Sequence, residues 1–169
     1  MESLVAGYFR LLKVLVALLL AGMVVLVFGN VVLRYAFGSG ITVSEELARW
    51  FFVWMVFLGA IVGLKEHAHL GVDTVVLMLG PTGRRACYIA SHALMIMCCV
   101  LLIKGTLAQT LINWNVAAPA TGWSVAWFYG IGLVFGFSAI AILSYELVQV
   151  LLGRISGDDL IAIRESEEH

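Results

Sequence analysis

Apolar residues run almost without interruption through four stretches of the chain, from about Leu11 to Phe37, Glu45 to Leu64, Ala86 to Asn113 and Trp123 to Leu152. Crossing the hydrocarbon core of a bilayer takes about 20 helical residues at a rise of ~1.5 Å each, and every stretch reaches that length. The pattern predicts an all-α membrane protein of four transmembrane helices. The third and fourth stretches approach 30 residues and are expected to tilt or to protrude into the interface. Arg10 and Lys13 resemble the basic region of a signal peptide. The apolar part that follows is longer than the ~7–15 residues of a signal core and lacks a small-x-small cleavage pattern, so a retained helix is expected.

The connection between the second and third stretches, His67 to Gly83, carries Val72, Val75, Val76, Leu77, Met78 and Leu79. It is too short to span. A short helix lying in the interface over about residues 68–80 is predicted, ended by Gly80-Pro81. Residues 1–157 then form one transmembrane domain and 158–169 an acidic tail, with no internal repeat.

Composition strengthens this picture. Apolar residues make up 62% of the 169 positions and charged residues 12%, about half the charge a soluble domain needs to cover its surface. A net charge of −1 leaves no basic footprint for nucleic acid. The cysteines, Cys87, Cys98 and Cys99, have no metal-ligand spacing and read as small apolar fillers. Placement of the few cations sets an orientation. With the N-terminus inside, the cytoplasmic side receives Arg10, Lys13, Lys65, Arg84, Arg85, Arg154 and Arg164, and the other side only Arg34 and Arg49. Both termini are therefore expected in the cytoplasm. Trp114, Trp123 and Trp127 bracket the third connection, while Tyr8, Tyr88 and Tyr145 sit near the opposite ends, as interfacial aromatic residues do.

The richest polar cluster flanks the first connection. Asn30 and Arg34 lie one turn apart near the end of the first helix, and the second opens with Thr42-Val43-Ser44-Glu45-Glu46-Leu47-Ala48-Arg49-Trp50. Thr42 and Glu45 fit a capping box, both glutamates suit the positive end of the helix dipole, and Glu45 and Arg49 are spaced to pair. Two readings follow: a capped helix start with ordinary ion pairs, or a polar knot of Asn30, Arg34, Glu45, Glu46 and Arg49 that fixes the first helix to the second or to another subunit. Lys104 is the one charge well inside a span, and Thr106, Gln109, Thr110 and Asn113 continue a polar stripe on the same helix. It either snorkels to the interface or meets Glu45, Glu46, a lipid phosphate or a partner subunit. Glu146 is expected to pair with Lys65 or Arg84.

Helix two also carries Trp50, Trp54 and Phe57 on one broad face, then Gly59-x-x-x-Gly63, and helix four carries Gly132-x-x-x-Gly136. Small residues four apart let helices approach closely in lipid. The aromatic face would suit docking against a larger partner. Haem or quinone binding in a redox anchor would call on His92 and His67, but only His92 lies inside a span. Phosphate-binding glycine loops, nucleophile elbows and paired intramembrane carboxylates are missing from the sequence, so no enzymatic activity and no cofactor are expected. Neither broken helices nor repeated halves of the kind that build a transporter's own substrate site occur.

Asn30-Val31-Val32-Leu33-Arg34-Tyr35, Glu45-Glu46-Leu47-Ala48-Arg49 with Trp54, Phe57-Leu58-Gly59-Ala60 and His67-Ala68-His69-Leu70-Gly71-Val72-Asp73 occur in that order. In that order and spacing the chain resembles the small membrane subunit (the DctQ type) of tripartite ATP-independent periplasmic (TRAP) transporters. The resemblance implies a non-catalytic inner-membrane subunit that braces a larger, elevator-type subunit. That pair would take up an organic acid anion with sodium, delivered by a periplasmic binding protein. It further implies an interface or scaffold role for Arg34, Glu45, Glu46 and Arg49; membrane lipids complete the expected partners.

Overall fold

The computed structural model of the chain describes residues 2–66 and 80–152. Four helices carry almost all of them: α1 (Glu2–Phe37), α2 (Thr42–Lys65), α3 (Pro81–Ile112) and α4 (Ala126–Leu151). Each is long and apolar enough to cross a membrane, so the all-α, four-span reading holds. The predicted interfacial helix over 68–80 and the acidic tail over 158–169 lie outside the described residues.

Helix α1 begins at Glu2, well before the apolar stretch that predicted it. Apolar counting sees only the part that needs lipid, whereas the first turns continue the same helix and pack. Phe9 and Leu12 are buried there in one apolar cluster with Leu58 and Ile61 of α2 and Ile131 of α4. At its other end α1 stops at Gly38, whose φ of +66° and N–H bond to the Arg34 carbonyl (3.1 Å) close the helix in the left-handed conformation that glycine tolerates.

The helices stand in an open row. Helix α1 packs on α2, α2 on α4, and α4 on α3, while among the described residues α3 packs on neither α1 nor α2. A side-chain hydrogen bond between the Tyr8 and Ser138 hydroxyls (3.0 Å) ties α1 to α4. The row leaves its edges bare: within an 18-residue apolar stretch of each span, 6% of α1 and 11% of α3 are buried, against 28% for α2 and for α4.

Close packing, which replaces the hydrophobic effect in lipid, is strongest between α3 and α4. A Cβ added at Gly132 would run into the Thr106 side chain, and one at Gly136 into Ile103. Cys99, Ala139 and Leu143 form the buried centre of this contact. The glycine pair on α2 behaves differently. A Cβ at Gly59 would meet open space, and Gly63 is half-buried.

Polar contacts fasten the end that carries both termini. Arg85 donates to the Val150 and Leu151 carbonyls (3.1 and 3.3 Å), satisfying acceptors that the end of α4 leaves open. Lys13 pairs with Glu66, and the Lys65 ammonium lies 4.0 Å from the centre of the Phe9 ring.

Candidate functional site

The polar knot forms at the opposite end of the row. Because Gly38 turns the chain sharply, Asn30 and Arg34 on the last turns of α1 face the start of α2. Asn30 is buried, with 8% of its surface exposed. Its Oδ1 accepts the Ile41 N–H (2.7 Å), and its Nδ2 donates to Glu45 Oε1 (3.1 Å). Arg34 Nη2 donates to the same carboxylate oxygen from 3.0 Å. Gly40 closes over the pair, where a Cβ would stand 3.4 Å from Arg34 Nε and 3.5 Å from Asn30 Oδ1. One turn deeper, Ser44 Oγ donates to the Leu26 carbonyl (2.9 Å).

This geometry corrects two local expectations. The N-cap of α2 is Ile41, and no side chain caps it, so Thr42 and Glu45 form no capping box. Glu45 is drawn across to α1 instead, and among the described residues no ion pair joins it to Arg49. An extended Ile41 exposes its N–H toward Asn30, and that tertiary bond supplants the local one.

Glu46, next in sequence, reaches the other way. Its Oε2 accepts the Ala120 N–H (2.9 Å); its Oε1 accepts the Thr121 hydroxyl (2.5 Å) and the Thr121 N–H (3.3 Å). These donors sit at the tip of the α3–α4 connection. An Ala117–Ser124 bridge shapes that connection, with Ala118 N–H on the Trp123 carbonyl (2.7 Å) and Gly122 at φ +73°. The two glutamates thus clamp α2 to α1 on one side and to the α3–α4 connection on the other. Arg49 stands on the wall of an open recess of about 460 Å³, shared with Thr42, Val43, Glu45, Glu46, Pro119 and Ala120. Sequence reasoning placed Asn30, Arg34, Glu45, Glu46 and Arg49 together. It missed Thr121, for which 75 residues of separation leave no local signal.

Lys104 lies apart from this cluster. It is exposed on α3, and its supposed polar stripe is divided. Thr106 and Thr110 turn inward and return their hydroxyls to the Leu102 and Thr106 carbonyls (2.8 and 2.7 Å). The aromatic face of α2 packs in part on α4 and on the connection before it. Trp50 meets Trp123 and Phe128 with ring centres 6.2 and 6.1 Å apart, Phe57 meets Phe135 at 5.6 Å, and Trp54 Nε1 donates to the Trp127 carbonyl (3.3 Å).

A second pair, unforeseen in the sequence, joins α3 to α4 near the termini-bearing end. His92 Nε2 lies 3.2 Å from Glu146 Oε2, and His92 Nδ1 lies 3.1 Å from the Tyr88 carbonyl. A carbonyl only accepts, so Nδ1 carries the proton of that bond and Nε2 is turned to the carboxyl group. Both ring nitrogens are thereby engaged, which disfavours His92 as a haem ligand; His67 lies outside the described residues. Glu146→Gln can still donate to Nε2 and should be the milder of two substitutions. Glu146→Leu leaves a buried imidazole nitrogen unsatisfied, at a cost of about 1–3 kcal/mol. Heat-denaturation midpoints of the two variants in detergent check this, and equal midpoints would contradict it.

Polar contacts thus join the helices at both ends of the row. The family model described as "Tripartite ATP-independent periplasmic transporters, DctQ component" matches residues 23–153, from mid-α1 through α4. A putative TRAP transporter small permease protein of Haemophilus influenzae is 35% identical over 158 residues, covering 94% of this chain and 98% of that protein. Another from the same organism is 32% identical over 140 residues, with coverages of 83% and 85%. The C4-dicarboxylate TRAP transporter small permease protein DctQ of Vibrio cholerae is 34% identical over 105 residues, covering 62% of this chain and 42% of that protein. Four apolar spans and these relatives make the chain a multi-pass protein of the bacterial inner membrane. It belongs to the DctQ-component family, the small permease subunits of TRAP transporters.

Proposed function

We propose that this subunit braces a larger, elevator-type membrane subunit and holds no substrate site of its own. The observation that carries the reading is the open row. Helices α1 and α3 present long apolar faces at its two edges, a shape suited to lying along a bigger protein in the membrane. A stationary brace must keep its helices in fixed register. The clamps by Glu45 on α1 and Glu46 on the α3–α4 connection serve that purpose, with Asn30, Arg34 and Arg49 completing the knot. Both termini face the cytoplasm, following the excess of Lys and Arg on that side. The recess walled by Glu45, Glu46 and Arg49 then opens to the periplasm, where a substrate-binding protein can dock. The cargo is an organic acid anion taken up with sodium; the C4-dicarboxylate name of the Vibrio cholerae relative supports that class.

Affinity purification of the tagged protein from solubilised native membranes tests this. A single large polytopic partner is expected to co-purify. Recovery of the chain alone, or with a soluble dehydrogenase, would overturn the reading. Neutral replacement of Arg34 or Glu46 is expected to lower the yield of intact complex. If transport fell while the complex stayed whole, these residues would act in transport itself.

A further inference from the structure

Lys104 sits at the centre of the exposed face of α3. Ile103 and Thr106 point at α4, where they meet Gly136 and Gly132, and Cys99 and Thr110 are buried. At 3.6 residues per turn Lys104 projects about 100–160° away from all four. Around it lie Met97, Val100, Leu101, Leu107 and Leu111, every one exposed. Among the described residues Lys104 has no ion-pair or hydrogen-bond partner.

Its depth is the second observation. Lys104 precedes the end of α3 at Ile112 by about 12 Å of helix. The contact of Gly136 with Ile103 sets the same level roughly 15 Å below the start of α4 at Ala126. That is near half the thickness of a ~30 Å hydrocarbon core. Helix side chains lean toward the helix N-terminus, which for α3 means away from the nearer interface. Snorkelling would have to work against that lean. An ammonium group at such a depth is costly unless an anion meets it there.

We infer that the Lys104 face of α3 is the edge that docks on the large membrane subunit, and that this subunit supplies an intramembrane Asp or Glu to Lys104. The apolar surround gives the packing surface, and the single cation fixes register, since a carboxylate misplaced by one turn would leave both charges unpaired in lipid. The inference rests on the proposed partnership and adds which face is used and what chemistry faces it.

Co-purification of the two membrane subunits tests it, with Lys104→Arg, Lys104→Met and Lys104→Glu beside the unchanged protein. The arginine variant should preserve recovery, the methionine variant should lower it about tenfold or more, and the glutamate variant should abolish it. Lys104 makes no polar contact among the described residues, so each variant alone should be obtained in normal yield. In the Lys104→Glu background, changing one intramembrane acidic residue of the large subunit to Lys should restore the complex. Wild-type recovery by the methionine and glutamate variants would overturn the inference and assign Lys104 to lipid phosphate. Failure of every such reversal would do the same. If even the unchanged protein brings down no large subunit, the subunit reading falls, and the inference with it.

Discussion

Gly136→Val is expected to lower the stability of the isolated protein by about 1–3 kcal/mol, toward the upper end of that range. A Cβ at this position already collides with Ile103 Cγ1, and the Cys99 carbonyl behind it lies 3.7 Å away. Relief therefore requires helix α3 to move, not merely a side chain to rotate. Gly132→Val should act similarly through Thr106, and the double variant should separate α3 from α4. Because neighbouring sites share one interface, the two effects are not expected to add. Gly59→Ala is the matched control. Nothing lies within 4 Å of its added Cβ, so stability should hold or rise slightly, alanine being the better helix former. The fraction of protein remaining monodisperse after heating in detergent reads all four. A Gly136→Val midpoint equal to that of Gly59→Ala would refute the packing described.

Asn30→Leu carries the second large effect. The Asn30 amide oxygen receives the Ile41 N–H, and its amide nitrogen steadies Glu45 against Arg34. Leucine preserves volume but leaves the Ile41 donor unmet and Glu45 with one partner fewer. A loss of about 1–3 kcal/mol is expected. Asn30→Asp separates the two functions of the amide. It keeps an acceptor for Ile41 but sets a second carboxylate against Glu45, a like-charge contact present only while both are ionised. Its destabilisation should therefore be largely relieved when Glu45→Gln is added, since the amide can donate to Asp in place of repelling it. A midpoint deficit that is the same with and without Glu45→Gln would show that Glu45 does not sit against residue 30.

The four spans were legible in the sequence because lipid imposes length and apolarity directly on the chain. The residues of the polar knot were legible too, since charges and an asparagine stand out where apolar residues dominate. What they bond to was not. Thr42-x-x-Glu45 has the spacing of a capping box, yet Glu45 turns to Asn30 and Arg34, because those partners arrive only when α1 and α2 fold together. The bond from Thr121 to Glu46 and the His92–Glu146 pair likewise depend on contacts across many residues. Glycine spacing was equally ambiguous. Gly59-x-x-x-Gly63 and Gly132-x-x-x-Gly136 look alike in sequence, but only the second meets a neighbouring helix of this chain at both positions. Nearness in sequence put Lys104 and Thr106 on one polar stripe, whereas two residues of helical rotation turn them to different sides.

Reconstitution into sodium-gradient liposomes distinguishes a brace from a transporter. The small subunit alone, its large partner alone and the two together are compared for uptake of organic acids presented by the cognate binding protein. The small subunit alone should move nothing, and the pair should transport better than the large subunit by itself. Uptake by the small subunit alone, or equal uptake with and without it, would contradict the role of a non-transporting brace.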